Sequence, residues 1–203
     1  MRFYNLILAF IFMTVLIHAI NKKDAEQAKS PQERILINGN LEKADLKGAN
    51  MHNNLWIATN ATKANLYNAI MNDITILDSN LREVNLEKAT LQKALIADTD
   101  LSKSSLKEAT LEDAQLYRVK FTNALLDKAN FMGAILVEVS FKQTSLNGAN
   151  FEGADVRNCD FSQIKSLENT NFKGARLQGS DFRGIKNLSN QLKTDLKKSG
   201  ALI

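Results

Sequence analysis

His18, His52 and Cys159 are the side chains in this sequence best suited to hold a metal or to serve as base and nucleophile. Their number and spacing work against both. A metal site needs three or four such ligands brought together, and the chain has two histidines and one cysteine. His18 lies inside an apolar N-terminal run, so His52 stands alone in the rest of the chain. A single cysteine closes no disulfide within the chain. Cys159 falls where a repeat places small inward residues, which reads as a buried thiol rather than a nucleophile. Acidic residues are scattered along the chain, whereas acid–base catalysis needs carboxyls poised together in a cleft. Gly48, Gly133, Gly148, Gly153 and Gly174 recur at one position of the same repeat and read as turn geometry, not as a phosphate-binding loop. The expectation is a protein that is not an enzyme and uses no metal, cofactor or small-molecule substrate.

What positions these residues is a repeat of five. Apolar residues stand at Leu41, Leu46, Met51, Trp56, Ala61 and Leu66, and continue at the same spacing to Phe161. Two places before most of them is a small residue, such as Ala44, Ala49, Ala64, Ala109 or Ala134. Period five fits neither an amphipathic helix nor a simple strand. A short strict repeat points to a solenoid, in which each unit buries its face only by stacking on its neighbours. After Phe161 the next apolar position is Leu167, six on instead of five, so a one-residue bulge is expected in residues 162–166. Oversized Trp56 is followed by undersized Ala61, which keeps core volume roughly constant.

The units "ADLKG", "ANLYN", "ANFMG", "ANFEG" and "ADVRN" resemble the pentapeptide repeat family, whose unit reads A-(D/N)-L-x-x. The resemblance covers about residues 39–184. It implies an all-β fold, a right-handed four-sided β-helix with one pentapeptide per side. The central residue and the small residue before it would point inward, with little room for a larger side chain at the small position. Coils spaced about 4.8 Å apart would stack roughly seven high into a rod about 34 Å long.

Such a rod needs caps, because both ends expose unpaired coil edges. Residues 21–38 read as a linker and N-terminal cap, with Ser30-Pro31-Gln32-Glu33 as a capping box. Residues 185–203 read as a helical cap. Leu188, Leu192 and Leu196 are spaced four apart, Ser189 is the N-cap, Lys197 and Lys198 occupy the last turn, and Gly200 stops the helix. Residues 1–20 carry Arg2 and then an apolar run from Phe3 to Ile20, the order of an export signal. The run is also nearly long enough to anchor the chain in a membrane, which takes about 17–25 residues.

A second period is twenty. Extended apolar stretches recur at "RILIN", "NLWIA", "ITIL", "ALIA", "QLY" and "AILVEV". Twenty residues is one turn of a four-sided coil, so these stretches stack on one side. Leu36, Trp56, Ile76, Ile96, Leu116 and Leu136 would point in. Leu55, Ile57, Leu77, Leu95, Ala97, Tyr117, Ile135 and Val137 would point out and form an apolar face. A patch of this kind on a monomer usually has a use. A protein partner, most simply a second copy in a homodimer, the chain's own residues 21–34, or a membrane could cover it.

The 203 residues are 44% hydrophobic, with 26 Lys+Arg against 22 Asp+Glu and a formal charge of +4. Lys and Glu are interleaved, which describes a solvated surface rather than a nucleic-acid patch. The reading is a non-catalytic interaction or scaffold protein, exported to the periplasm or medium, or held at a membrane by residues 1–20. Some members of the family it resembles bind DNA gyrase by imitating duplex DNA, which is the alternative. That mimicry needs a strongly acidic surface, and both the positive balance and the export signal speak against it.

Overall fold

A computed structural model of the chain describes residues 35–186 and 188–203. The expected export segment, the capping box at 30–33 and the linker up to residue 34 lie outside the described residues.

Seven short strands form one parallel sheet in sequence order: β1 (Ile35–Ile37), β2 (Leu55–Ile57), β3 (Thr75–Leu77), β4 (Leu95–Ala97), β5 (Gln115–Tyr117), β6 (Ile135–Val137) and β7 (Asp155–Arg157). Leu36 pairs with Trp56, Trp56 with Ile76 and Ile76 with Ile96, so each strand sits one twenty-residue turn above the last. Three further columns of parallel bridges begin at Asn40–Asn60, Asp45–Asn65 and Asn50–Ile70. The chain is therefore a four-sided solenoid in which the coil itself is the crossover that parallel pairing demands. Pairing with the coil above starts at Ile35, a little before the first clear pentapeptide.

The four sides are not alike. On three of them the small residue closes a turn onto the carbonyl three places back: Ala64 N–H donates to Ala61 O at 3.0 Å, and Ala69 N–H to Leu66 O at 3.0 Å. On the side of the sheet, hydroxyl residues take the matching place in successive coils. Ser79 Oγ donates to Leu77 O at 2.8 Å and Thr99 Oγ1 to Ala97 O at 2.9 Å. Ser79 Oγ also accepts from Thr59 N–H at 3.0 Å. These buried hydroxyls are satisfied, and three residues on this side stay extended. Their β-branched and apolar character suits that backbone.

Inside, the central residues from Leu41 to Phe161 are buried almost completely. Two ladders of stacked rings fill the C-terminal half. Phe141, Phe161 and Phe182 stack at 4.6 and 4.3 Å between centroids, and Phe131, Phe151 and Phe172 at 4.8 and 5.2 Å. The ladders meet edge to face, as rings prefer. Small-residue slots prove roomier than expected, because Ile74, Val84, Val119 and Val139 are all buried in them. Val84 follows Ala64 and precedes Ser104 in its column, so the volume averages out along the stack. Trp56 and Ala61 are both fully buried, although the Trp56 Nε1–H has no hydrogen-bond partner.

The bulge falls where the spacing places it. Ser145 pairs with Ser166 and Asn150 with Asn171, at an offset of 21 in place of 20. Beyond it, α1 (Asn190–Lys198) begins with Ser189 Oγ accepting from Leu192 N–H at 3.1 Å. Leu196 is buried against the last coil, and Leu188 and Leu192 partly so. Gly200 takes φ 95°, a left-handed conformation that only glycine adopts readily. The final residues then do something the repeat does not announce. Leu202 N–H donates to Ser180 O at 2.8 Å, and Phe182 N–H to Leu202 O at 2.8 Å. Residues 199–203 thus pair with the open edge of the last coil.

Candidate interaction face

The sheet side presents two outward columns, one before and one after each buried central residue. The first runs Ile35, Leu55, Thr75, Leu95, Gln115, Ile135 and the second Ile37, Ile57, Leu77, Ala97, Tyr117, Val137. The eight residues expected to form an apolar face do lie together on one side of the rod. Leu55, Ile57, Leu95, Tyr117, Ile135 and Val137 are half-buried, and Ile35 is 50% exposed. Leu77 and Ala97 differ, at 6% and 2% exposure. Ala97 is short and stacks directly between Leu77 and Tyr117, whose larger side chains flank it along the column.

The face ends in charge. In β7 the columns become Asp155 and Arg157, paired at 3.3 Å, with Arg176 at 3.9 Å from Asp155 on the next coil. Charged corner residues, which composition alone did not single out, run along both long edges. Asp78, Asp98, Arg118 and Glu138 follow the strands; Asp73, Lys93 and Asp113 precede them. Their signal in the sequence is the same period of twenty. Arg118 reaches Asp98 through two hydrogen bonds of 2.6 Å. Partial burial and the neighbouring Asp98 push the Asp78 carboxyl above the usual range, against the pull of Arg118. On the adjoining side, burial raises the Asp100 carboxyl, but hydrogen bonds from Ser102 and Arg82 outweigh it and hold the pKa low.

Residues with catalytic potential are not brought together. Cys159 is buried, its Sγ 3.4 Å from Arg157 O, and burial pushes its pKa up to about 12. At pH 8 it is therefore a thiol and not the reactive thiolate. A thiol-specific reagent should leave it unmodified in the native protein and react fully after denaturation; fast native labelling would contradict the inward placement. His52 Nδ1 lies 3.0 Å from Asn72 O and 3.6 Å from Asp73 on the exposed surface. No cluster of three metal-ligating side chains occurs among the described residues. A cleft of about 730 Å³ near the bulge is lined by residues that include Lys165, Glu168, Lys186 and Leu192. No helix among the described residues is long and apolar enough to cross a membrane.

A sequence profile of the pentapeptide repeat region matches residues 79–151 and 114–192. These matches span more than half of the chain, which belongs to the pentapeptide repeat proteins. Among solved structures, a trypsin-treated form of QnrB1, a plasmid-mediated fluoroquinolone resistance protein, aligns at 19% identity with a TM-score of 0.50. That alignment covers 84% of this chain and 98% of QnrB1. HetL, involved in heterocyst differentiation regulation in the cyanobacterium Nostoc sp. strain PCC 7120, aligns at 21% identity with a TM-score of 0.32, covering 80% and 94% of the two chains. At these identities the likeness describes the fold. No curated protein matches the chain.

Proposed function

We propose that this protein is a non-catalytic interaction or scaffold protein that docks a protein partner, most simply a second copy, on the outer face of its seven-stranded sheet. One observation carries the reading: the outward columns stay largely apolar through six consecutive coils, while the other sides present mainly polar side chains. Core packing does not require this, because the central residues beside those columns are already buried. Long apolar sheet faces on a monomer invite aggregation, so retaining one implies an occupant. The DNA-mimic alternative finds no support in a chain with a formal charge of +4.

Leu95→Lys combined with Ile135→Lys tests the reading. Both side chains point away from the core, so the thermal transition should stay within a few degrees of the parent. Self-association in analytical ultracentrifugation should disappear. A parent that is monomeric at high concentration, together with a double variant that unfolds, would mean that the face is internal and covered by the chain's own N-terminal residues.

The proposal places the rod outside the cytoplasm, delivered by residues 1–20, whose order is basic, apolar, then polar. Fusing residues 1–30 to a reporter that is active only after export should give signal. A stably made but silent fusion would sink this part, and the size of the mature product separates cleavage from anchoring.

A further inference from the structure

We propose that two copies pair side by side and parallel, sheet face to sheet face, about a twofold axis that runs along the stacking direction. This rests on the reading of the sheet side as a docking face.

Two faces that meet through a twofold axis have two simple choices. With the axis along the stack, each strand faces the same strand of the second copy, and the column before the strands faces the column after them. With the axis along the strands, the rods are antiparallel, each column faces itself, and β3 faces β4. The charged edges distinguish these choices.

In the parallel arrangement Lys93 comes opposite Asp98 of the second copy, and Asp113 opposite Arg118 of the second copy. At the charged end of the face, Asp155 comes opposite Arg157 of the second copy. The symmetry makes each pair twice. One like-charge meeting remains, Asp73 with Asp78 of the second copy. Asp78 is the carboxyl that partial burial and Asp98 already push above its usual range.

The antiparallel arrangement gains Asp73 with Lys93 of the second copy but sets Asp78 against Asp98 of the second copy. The Asp155–Arg157 level then projects past the end of the partner. Shifting the register to cover that level lays Asp155 on Ile35 and Arg157 on Ile37, which strips an ion pair of water against apolar side chains. Shape also favours the parallel choice. It sets the half-buried Leu95 opposite Ala97 of the second copy, the shortest side chain of the two outward columns. It also places Gln115 beside Tyr117 of the second copy, a pair that already bonds within one chain at 3.2 Å.

The footprint is small. Six coil spacings of about 4.8 Å by five residues of about 3.3 Å give on the order of 450–500 Å² in projection per copy. That lies below the roughly 800 Å² per partner of a standard interface. The dimer is therefore weak, and its rim charges weigh heavily in setting geometry and salt dependence.

The test uses protein obtained by expressing the whole 203-residue chain. A spin label is placed on Lys173→Cys, at a side chain that is 81% exposed near the C-terminal end, on the side of the rod that adjoins the face. Cys159 is buried and does not compete. In a parallel dimer the two labels sit at the same height, separated only sideways. In an antiparallel dimer they are offset by a further ~40 Å along the axis. A second variant, Asp113→Lys, should weaken dimerisation about tenfold at low salt by facing Arg118 of the second copy. In the antiparallel dimer it faces Asn53 and should change little. A dimer with the short label distance and a weakened Asp113→Lys variant is the expected result. A dimer with the long distance overturns the parallel geometry and leaves the docking face standing. A chain that stays monomeric, or a dimer indifferent to Leu95→Lys with Ile135→Lys, overturns the docking face itself.

Discussion

Phe131→Ala should destabilise the rod by about 3–5 kcal/mol, the range expected for truncating a fully buried aromatic ring. Phe131 is fully buried and stacks on Phe151 at 4.8 Å. It also meets Phe121 and Phe141 edge to face, each at 6.4 Å. Removing the ring forfeits its transfer free energy and leaves a cavity. That cavity cannot collapse easily, because the coils above and below are fixed by backbone bonds such as Phe131 N–H to Asn150 O at 2.7 Å. The effect should spread along the ring ladders more than around the coil. Denaturant unfolding should show a lower midpoint with unchanged slope if the rod melts as one unit. A lower slope would mean that the C-terminal, phenylalanine-filled half melts separately from the Leu- and Met-filled half, which repeat architectures allow. A loss under 1 kcal/mol would contradict the inward placement of the ring.

Much of this architecture is legible in the sequence because two periods lock it. Period five states which residue points inward, and period twenty states which residues stack. A slip of a single residue would have moved Leu116 and Leu136 out of the core, so Gln115 and Tyr117 could be placed outside with the same certainty. The bulge was equally legible, since only an insertion takes Phe161 to Leu167 in six steps. What was not legible lacks a period. The face was read as uniformly outward, yet Leu77 and Ala97 are buried. Their shielding comes from the sizes of column neighbours, and Tyr117 covers what a short side chain leaves open. Thr59, Ser79 and Thr99 occupy the small-residue slot two places before a central residue. Their use as hydroxyl ties on the sheet side depends on a backbone conformation that small size alone does not encode. The charged edges of the face were visible as letters, but Lys93 and Asp98 become related only when one asks what a second copy would place opposite them.

The C-terminal cap was half legible, and the missing half carries the second large effect. The four-residue spacing of Leu188, Leu192 and Leu196 announces a helix with one apolar stripe. Nothing periodic announces that residues 199–203 return to pair with the last coil, because that segment makes one partial turn and then ends. The helix and the edge pairing are coupled through Leu196. It is 1% exposed, and Ala201 N–H donates to its carbonyl at 3.1 Å, turning the tail toward the coil. Leu196→Asp should therefore release both elements together. A carboxylate has no partner in that apolar seat, and its desolvation costs several kcal/mol, more than the seat's hydrophobic gain can offset. Leu177, Gly179 and Phe182 then lose the acceptors of their N–H groups, and amide exchange at these three positions should quicken by orders of magnitude. Amides near β3 and β4 should keep their protection. The freed edge is a strand template facing water, so end-to-end association should appear with rising concentration. Leu95→Lys with Ile135→Lys would not suppress that association, which separates it from pairing through the sheet face. If the three amides stayed protected in Leu196→Asp, the tail would be docking independently of the helix, and the last coil would owe its closure to residues 199–203 alone.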